Sequence, residues 1–228
     1  MKPFGKPFGK PFGEPISESA SQRIGLFGGT FDPIHLGHVR LARLAIAGQR
    51  LDKLYFLPAF APPHKEGVEI SAFQDRAEMV RLALAGEEKM GICLAEERLP
   101  SPSYTIETLR HLAKGCLSGC QLFFVIGSDS LFDLPNWHDY EKILTTVHFL
   151  VAARRGCGDL SGMARRLGYQ IDGNRWWRPG KKDIFFLPGN VPAVSSSALR
   201  AALRRGEESP LLPLTVAAWL KERRLYEK

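Results

Sequence analysis

Segment 28–38, Gly-Gly-Thr-Phe-Asp-Pro-Ile-His-Leu-Gly-His, limits the folds open to this chain more than any other stretch. It follows the apolar run 24–27 and precedes an amphipathic stretch at 39–47, an order that predicts a strand, a glycine turn and a helix. Glycines after a strand let the backbone approach a ligand closely, and a helix start points N–H groups and partial positive charge at it. The segment therefore predicts a phosphate-binding turn.

Apolar strand candidates alternate with helix candidates along the rest of the chain. The strands are expected at 24–27, 54–57, 92–94, 122–126, 147–152 and 184–187. This alternation predicts an α/β, Rossmann-like doubly wound fold, with a mainly parallel sheet and helices on both faces. Breaks follow four of the strands, at Gly28, Pro58, Gly127 and Gly189. Their loops are expected on one rim, where such sheets bind ligands.

Three local predictions concern helix starts and one irregular stretch. Ser71 followed by Gln74 is a capping-box pattern, so Ser71 is expected to cap the next helix. Ser195 is expected to cap a helix at 198–203. The pair Trp176-Trp177 is expected in a basic loop.

The N-terminal residues differ in composition from the rest of the chain. Residues 2–13 repeat Lys-Pro-Phe-Gly three times. Proline and glycine at that density do not form a helix or a sheet ladder. Residues 1–21 are therefore expected to be a disordered tail, and residues 22–228 a single domain.

Charge and hydropathy bear on partners and location. The net charge of +7 favours anionic ligands, and a solvated basic surface explains it without nucleic acid. No apolar run approaches the ~20 residues of a membrane helix, and the N-terminus lacks a signal-peptide core. Four cysteines lack a recognised metal spacing and are expected to be cytosolic thiols. We therefore expect a cytoplasmic protein with no nucleic-acid or membrane partner, and homo-oligomerisation stays open.

His35 and His38 are three residues apart at a helix start, so they can share one face. Two imidazoles could ligate zinc, but no third ligand is evident, and no resident metal is predicted. The sequence contains no Walker loop, no three-glycine dinucleotide fingerprint and no nucleophile elbow. What remains is nucleotidyl transfer by positioning and charge stabilisation.

Such a transfer needs no general base, because an attacking phosphate is already ionised at neutral pH. It needs groups that neutralise charge on the reacting phosphorus and on the pyrophosphate. His35, His38, Lys65, Arg200 and helix-start N–H groups are the candidates, with Mg²⁺ carried on the triphosphate.

Two separated motifs resemble those of the nucleotidylyltransferase superfamily. Residues 35–38 match its histidine, any residue, glycine, histidine signature, and 194–200, Val-Ser-Ser-Ser-Ala-Leu-Arg, resembles its second motif. Five further stretches are similar to bacterial nicotinate-nucleotide adenylyltransferases: 62–65, 75–79, 103–105, 127–131 with Trp137, and 225–226. The resemblance covers about residues 24–226. It implies transfer of AMP from ATP to nicotinate mononucleotide, giving deamido-NAD and pyrophosphate in NAD biosynthesis.

The resemblance also implies roles for individual residues. ATP would be held by Gly28, Gly29, Thr30, Phe31, His35, His38, Asp129, Ser195, Ser196 and Arg200. His35, His38 and Arg200 would be the catalytic set. Nicotinate mononucleotide would be bound by Lys65, Tyr104, Thr105 and Trp137, with the indole stacked on the pyridine ring.

Small departures from the family pattern leave alternatives open. Ser197 stands where threonine is common, and Ala59 and His138 replace residues that are often polar and aromatic, respectively. The acceptor could be nicotinamide mononucleotide or phosphopantetheine, although phosphopantetheine enzymes usually carry threonine at the place of His35. A non-catalytic nucleotide-binding protein is the third reading, and the set His35, His38 and Arg200 weighs against it.

Overall fold

The computed structural model describes residues 21–62, 69–153, 158–189 and 194–227. Residues 1–20 of the predicted tail 1–21, together with Lys65 and Cys157, lie outside these ranges, so what the sequence predicts for them stays a prediction. Among the described residues the strands are β1 Arg23–Gly29, β2 Lys53–Pro58, β3 Met90–Ile92, β4 Gln121–Gly127, β5 His148–Ala152, β6 Gln170–Asp172, β7 Arg175–Trp177 and β8 Ile184–Leu187.

The α-helices lie between and after the strands. They are α1 Leu36–Gln49, α2 Phe73–Ala83, α3 Thr105–Lys114, α4 Ser128–Asp133, α5 Tyr140–Thr146, α6 Leu160–Leu167, α7 Ser196–Arg204 and α8 Leu214–Arg223. Short 3-10 turns occupy Ala95–Arg98 and Leu134–Asn136. None of the helices in these ranges combines the length and apolarity needed to cross a membrane.

All the described strands belong to one eight-stranded sheet with the order β3-β2-β1-β4-β5-β8-β7-β6. Every neighbouring pair from β3 to β8 is parallel, and β7 runs antiparallel to both β8 and β6. The ends of β1, β2, β4 and β8 therefore lie on one rim, as the four sequence breaks predict. The predicted mainly parallel sheet is confirmed.

Helices cover both faces of this sheet because its central strands are apolar on both sides. In β4, Phe124 and Ile126 pack on one face with apolar side chains of α3, α5 and α6. Phe123 and Val125 point to the other face, among side chains of α1, α2, α7 and α8. The doubly wound architecture predicted from the alternation is confirmed.

The predicted Ser71 cap is wrong. Helix α2 begins at Phe73 after Ala72, and its N-cap makes no side-chain cap hydrogen bond. The Ser71 hydroxyl instead donates to the Tyr226 hydroxyl at 3.1 Å. A partner 155 residues away along the chain replaces the local cap.

The predicted loop at Trp176-Trp177 is also wrong. These residues form β7, which pairs with β6 and β8. Trp176 is only 2% exposed, and its ring centroid lies 4.7 Å from that of Phe186. A strand of three residues is too short to show a hydrophobic period, so the sequence does not indicate that this pair lies in a strand.

Candidate active site

Helix α1 begins inside the motif, at Leu36, and its first turn is capped by histidines. His35 is the N-cap residue, and its Nδ1 accepts the backbone N–H of His38 at 3.3 Å. His38 Nδ1 in turn accepts the backbone N–H of His35 at 3.2 Å, and the two rings stack with centroids 3.6 Å apart. Because both Nδ1 atoms accept, each neutral imidazole carries its proton on Nε2. The pair therefore offers N–H donors held in one orientation.

Two aromatic rings pack against the imidazole of His38. The centroids of Phe31 and Phe27 lie 5.1 Å and 5.9 Å from that of His38, with both rings edge-on. Phe31 has a φ of 52°, a left-handed conformation that costs a residue with a side chain about 1–2 kcal/mol. Burial of its ring offsets that cost, and the buried ring packs against His38.

Gly37 is needed for the same arrangement. A Cβ at this position would lie 3.0 Å from His35 Nδ1 and 2.8 Å from Val194 Cγ1. Any side chain would push against the stacked ring or the second motif. The sequence identifies Gly37 as part of the signature but does not reveal this packing role.

A cavity of about 820 Å³ lies where β1, β2, β4 and β5 end. This volume suits a small-molecule ligand site. Nine of the predicted site residues line it: Gly28, Gly29, Thr30, His35, His38, Tyr104, Thr105, Asp129 and Trp137. Residues assigned to both substrates thus share one cavity. Of the predicted residues within the described ranges, Phe31, Ser195, Ser196 and Arg200 are not on its wall.

Aromatic side chains form a further part of the cavity wall. The Trp137 indole N–H donates to Asp133 Oδ2 at 3.3 Å, and Asn136 Nδ2 donates to Asp133 Oδ1 at 2.8 Å. Tyr104 stacks on His138, with ring centroids 4.5 Å apart. Asp133 fixes the indole in place, a role that the sequence did not reveal.

The second motif is fastened to the first through the start of α7. Ser195 accepts the backbone N–H of Ala198 at 3.2 Å, so the predicted serine cap is confirmed. The Ser196 hydroxyl donates to the carbonyl of Pro33 at 2.9 Å. Arg200 Nη1 donates to the carbonyl of Asp32 at 2.5 Å and lies 3.7 Å from its carboxylate. Ser196 and Arg200 thus tie α7 to the turn at Asp32 and Pro33.

Asp32 is the centre of a buried polar network. It is 2% exposed, and its carboxylate accepts hydrogen bonds from the Tyr226 hydroxyl and, at 3.4 Å, from the backbone N–H of Ser71. Burial and the hydrogen bond to Asp32 raise the pKa of Tyr226. Arg76 Nη1 donates to the carbonyl of Thr30 at 2.8 Å, and burial lowers the pKa of its guanidinium. The network connects the C-terminus to the turn.

Glu96 is a further buried side chain on the cavity wall that sequence reasoning missed. It accepts hydrogen bonds from the backbone N–H of Phe60 and from the Thr108 hydroxyl, both at 3.1 Å. Burial raises the pKa of this carboxyl group. It lies in a stretch with two adjacent glutamates, and the sequence gives no signal of which one is buried.

No metal-binding cluster is formed within the part of the chain that the structure describes: three or more His, Cys, Asp or Glu side chains do not come together there. The cavity wall offers imidazoles, hydroxyls, aromatic rings and the carboxylates of Glu96, Asp129 and Asp133.

The sequence matches the cytidylyltransferase-like family over residues 26–202. It is 37% identical over 210 residues to a probable nicotinate-nucleotide adenylyltransferase of Desulfotalea psychrophila, covering 90% of this chain and 100% of that protein. A protein of the same description from Geobacter metallireducens is 36% identical over 212 residues, covering 90% of this chain and 98% of that protein.

The fold is also found among solved structures. Plasmodium falciparum nicotinic acid mononucleotide adenylyltransferase complexed with NaAD superposes with a TM-score of 0.70, over 90% of this chain and 97% of that chain. The sequence identity is 19%, so this likeness shows the fold alone.

Proposed function

The chain belongs to the cytidylyltransferase-like family and, within it, to the nicotinate-nucleotide adenylyltransferases, and from this premise we propose that it adenylylates nicotinate mononucleotide. It transfers AMP from ATP and gives deamido-NAD and pyrophosphate, a step of NAD biosynthesis. The observation that carries the proposal is that the wall of one cavity contains both the stacked His35–His38 pair and the aromatic residues Tyr104 and Trp137.

The reaction needs placement more than proton transfer. A phosphate oxygen of the mononucleotide attacks the α-phosphorus of ATP. The new P–O bond forms as the bond from that phosphorus to the oxygen bridging the α- and β-phosphates breaks, and pyrophosphate leaves. The attacking phosphate is already ionised, so no base has to remove a proton. The protein must hold the two phosphates in line and offset the negative charge between them.

The histidine pair is placed to stabilise that charge. Its Nε2–H groups are the donors, and the reciprocal caps and the ring stack fix their direction before the substrate arrives. Donors fixed in advance lower the barrier more than donors that must reorient during the reaction. Gly28 and Gly29 line the cavity beside Thr30 and the start of α1, and a Cβ at either position would lie 2.8 Å from the ring of Phe124 or of Phe31, respectively.

In this proposal the second motif adds positive charge beside the turn at 28–33. Ser195 and Ser196 set the start of α7, whose N–H groups and partial positive charge favour an anion. Arg200 is held on Asp32, and its guanidinium adds positive charge to the triphosphate side of the site. Asp129 lies on the cavity wall, where it would meet the ribose or adenosine of ATP.

The acceptor half of the cavity is formed by Tyr104, Thr105 and Trp137. An indole held by Asp133 presents a fixed face on which a pyridine ring can stack. Lys65 is assigned to the mononucleotide phosphate by resemblance and lies outside the described residues. We assign to this half of the cavity the discrimination between nicotinate mononucleotide, which carries a carboxylate, and nicotinamide mononucleotide, which carries an amide.

Mg²⁺ enters the proposal as the cation carried by the triphosphate, where it neutralises charge on ATP. The proposal places the enzyme in the cytoplasm, where its nucleotide substrates are found. It requires neither a nucleic acid nor a membrane. The alternative acceptors, nicotinamide mononucleotide and phosphopantetheine, are not favoured, because the similar proteins are described as nicotinate-nucleotide adenylyltransferases.

Pyrophosphate release with ATP and each acceptor in turn tests this function. We expect release with nicotinate mononucleotide, slower release with nicotinamide mononucleotide and none with phosphopantetheine. His38→Ala should lower turnover by roughly 10² to 10³, the usual effect of losing one fixed donor. His111→Ala, an exposed histidine on α3, is the matched control and should leave turnover unchanged. Full activity of the His38 variant would show that the pair does not stabilise the transfer.

A further inference from the structure

Glu96 links two segments that both line the cavity. It lies in the 3-10 turn Ala95–Arg98 and is 8% exposed. Its Oε2 accepts the backbone N–H of Phe60, in the loop that follows β2. Its Oε1 accepts the hydroxyl of Thr108, in the first turn of α3. One carboxylate thus bridges the loop at 59–62 and the start of the helix.

A second contact joins the same two segments beside Glu96. The backbone N–H of Ala61 donates to Ser103 Oγ at 3.0 Å, and the backbone N–H of Ser103 donates to the carbonyl of Ala61 at 3.0 Å. The Ser103 hydroxyl is itself a hydrogen-bond partner of Glu96. Residues 60–61 and residues 103–108 are therefore linked to each other by hydrogen bonds, several of which end on the Glu96 carboxylate.

The chemistry of Glu96 is unusual for a purely structural position. Burial raises the pKa of the group, while the hydrogen bonds from Ser103, Phe60 and Thr108 and the charge of Arg76 lower it. Burying a carboxylate is unfavourable unless donors offset the lost hydration. An apolar side chain would fill the same volume without this cost, but it could not accept hydrogen bonds from both the Phe60 backbone and the Thr108 hydroxyl.

We propose that Glu96 is a positioning residue for the acceptor mononucleotide. It holds the loop after β2 at a set distance from Tyr104 and Thr105, so the acceptor pocket keeps its width before substrate enters. This inference rests on the proposed function, because it assigns that wall to the acceptor. Glu96 accepts its hydrogen bonds from Phe60 and Thr108, whereas the rings of His35 and His38 bond to the start of α1, so loss of Glu96 should affect mononucleotide binding more than ATP binding.

Steady-state kinetics of Glu96→Ala and Glu96→Gln test the proposal. The alanine variant should raise KM for nicotinate mononucleotide about tenfold, since small displacements of a binding group have large effects, and change KM for ATP less than about twofold. The glutamine variant should restore most of the affinity. Its amide oxygen can accept from Phe60, and its NH₂ group can donate to the hydroxyl of Thr108.

Two further variants keep the test decisive. Thr108→Val removes one donor with little change in shape and should raise KM for the mononucleotide in the same direction, even if Glu96→Ala fails to fold. Glu107→Ala, an exposed glutamate on the same turn of α3, should leave both KM values unchanged. If Glu96→Ala or Thr108→Val raised both KM values equally, or neither, the positioning role would be overturned. Adenylyl transfer by the wild-type enzyme would still stand in that case.

Discussion

His35 and His38 both cap the start of α1 and line the cavity. Their Nδ1 atoms complete the first turn of α1, and that same bond directs the Nε2–H groups. The sequence predicted that the two rings share a face, because they are three residues apart. It could not predict that they cap each other, since histidine is an uncommon residue in a capping box.

Gly37→Ala tests how closely the pair is packed. The added Cβ would lie 3.0 Å from His35 Nδ1 and 2.8 Å from Val194 Cγ1, so the ring must move. We expect turnover to fall about tenfold or more, as for other small misplacements of a catalytic group, with little change in melting temperature. Gly48→Ala, in the same helix, meets only the end of the Leu187 side chain, at 3.2 Å, and is the control. Equal turnover in the two variants would contradict this packing argument.

Tyr226→Phe tests the network around Asp32. The change removes a donor from a buried carboxylate and a partner from Ser71. The free energy of unfolding should fall by about 1–3 kcal/mol, the usual effect of leaving a buried polar group without a partner. Urea denaturation measures it, with Tyr140→Phe, on the opposite face of the sheet, as the control. A loss no larger than that of the control would show that the network does not stabilise the fold.

At the scale of the elements, the apolar pattern of the sequence predicts the longer strands but not the three-residue strands β6 and β7. The strands β1, β4 and β8 are apolar runs that the sequence marks clearly, and the breaks after them lie on one rim. The three-residue strands β6 and β7 show no period in the sequence, so the sequence wrongly predicts a loop at Trp176. Contacts between distant elements, such as Ser71 with Tyr226, leave no local pattern.

His148 gives the junction of β5 and β8 a pH dependence. Its Nδ1 accepts the backbone N–H of Asp183 at 3.1 Å, and its ring stacks on Phe123. Burial lowers the pKa of His148 below its ordinary 6.5, so the folded protein binds this proton less readily than the unfolded chain. Its contribution to stability is therefore fully present above about pH 6.5 and is lost as the pH falls toward the folded pKa.

Urea denaturation at pH 5.5 and pH 7.5 measures this effect. The wild-type protein should lose more stability on acidification than His148→Gln, which cannot titrate at that position. His111→Ala, which removes an exposed histidine, should behave like the wild type. The same loss of stability in wild type and His148→Gln would show that another group causes the dependence.

At the scale of the whole molecule, the doubly wound sheet brings both halves of the site to one end. The first motif follows β1, and the aromatic wall comes from the segments beside α3 and α4. The sequence motifs predict two separate groups of residues, one for ATP and one for the mononucleotide. Only the order of the strands, with β1 between β2 and β4, places the groups around one cavity. Glu96 and Asp133, which hold the walls, belong to no recognised motif and required the structure.

The central claim is that the shared cavity joins AMP to the acid form of the mononucleotide. A competition experiment tests it most directly: ATP with Mg²⁺ and equal concentrations of nicotinate and nicotinamide mononucleotide, with both dinucleotide products quantified by mass spectrometry. The ratio of initial rates gives the ratio of the two kcat/KM values. We expect deamido-NAD to be the main product. A larger yield of NAD, or no dinucleotide at all, would contradict the account.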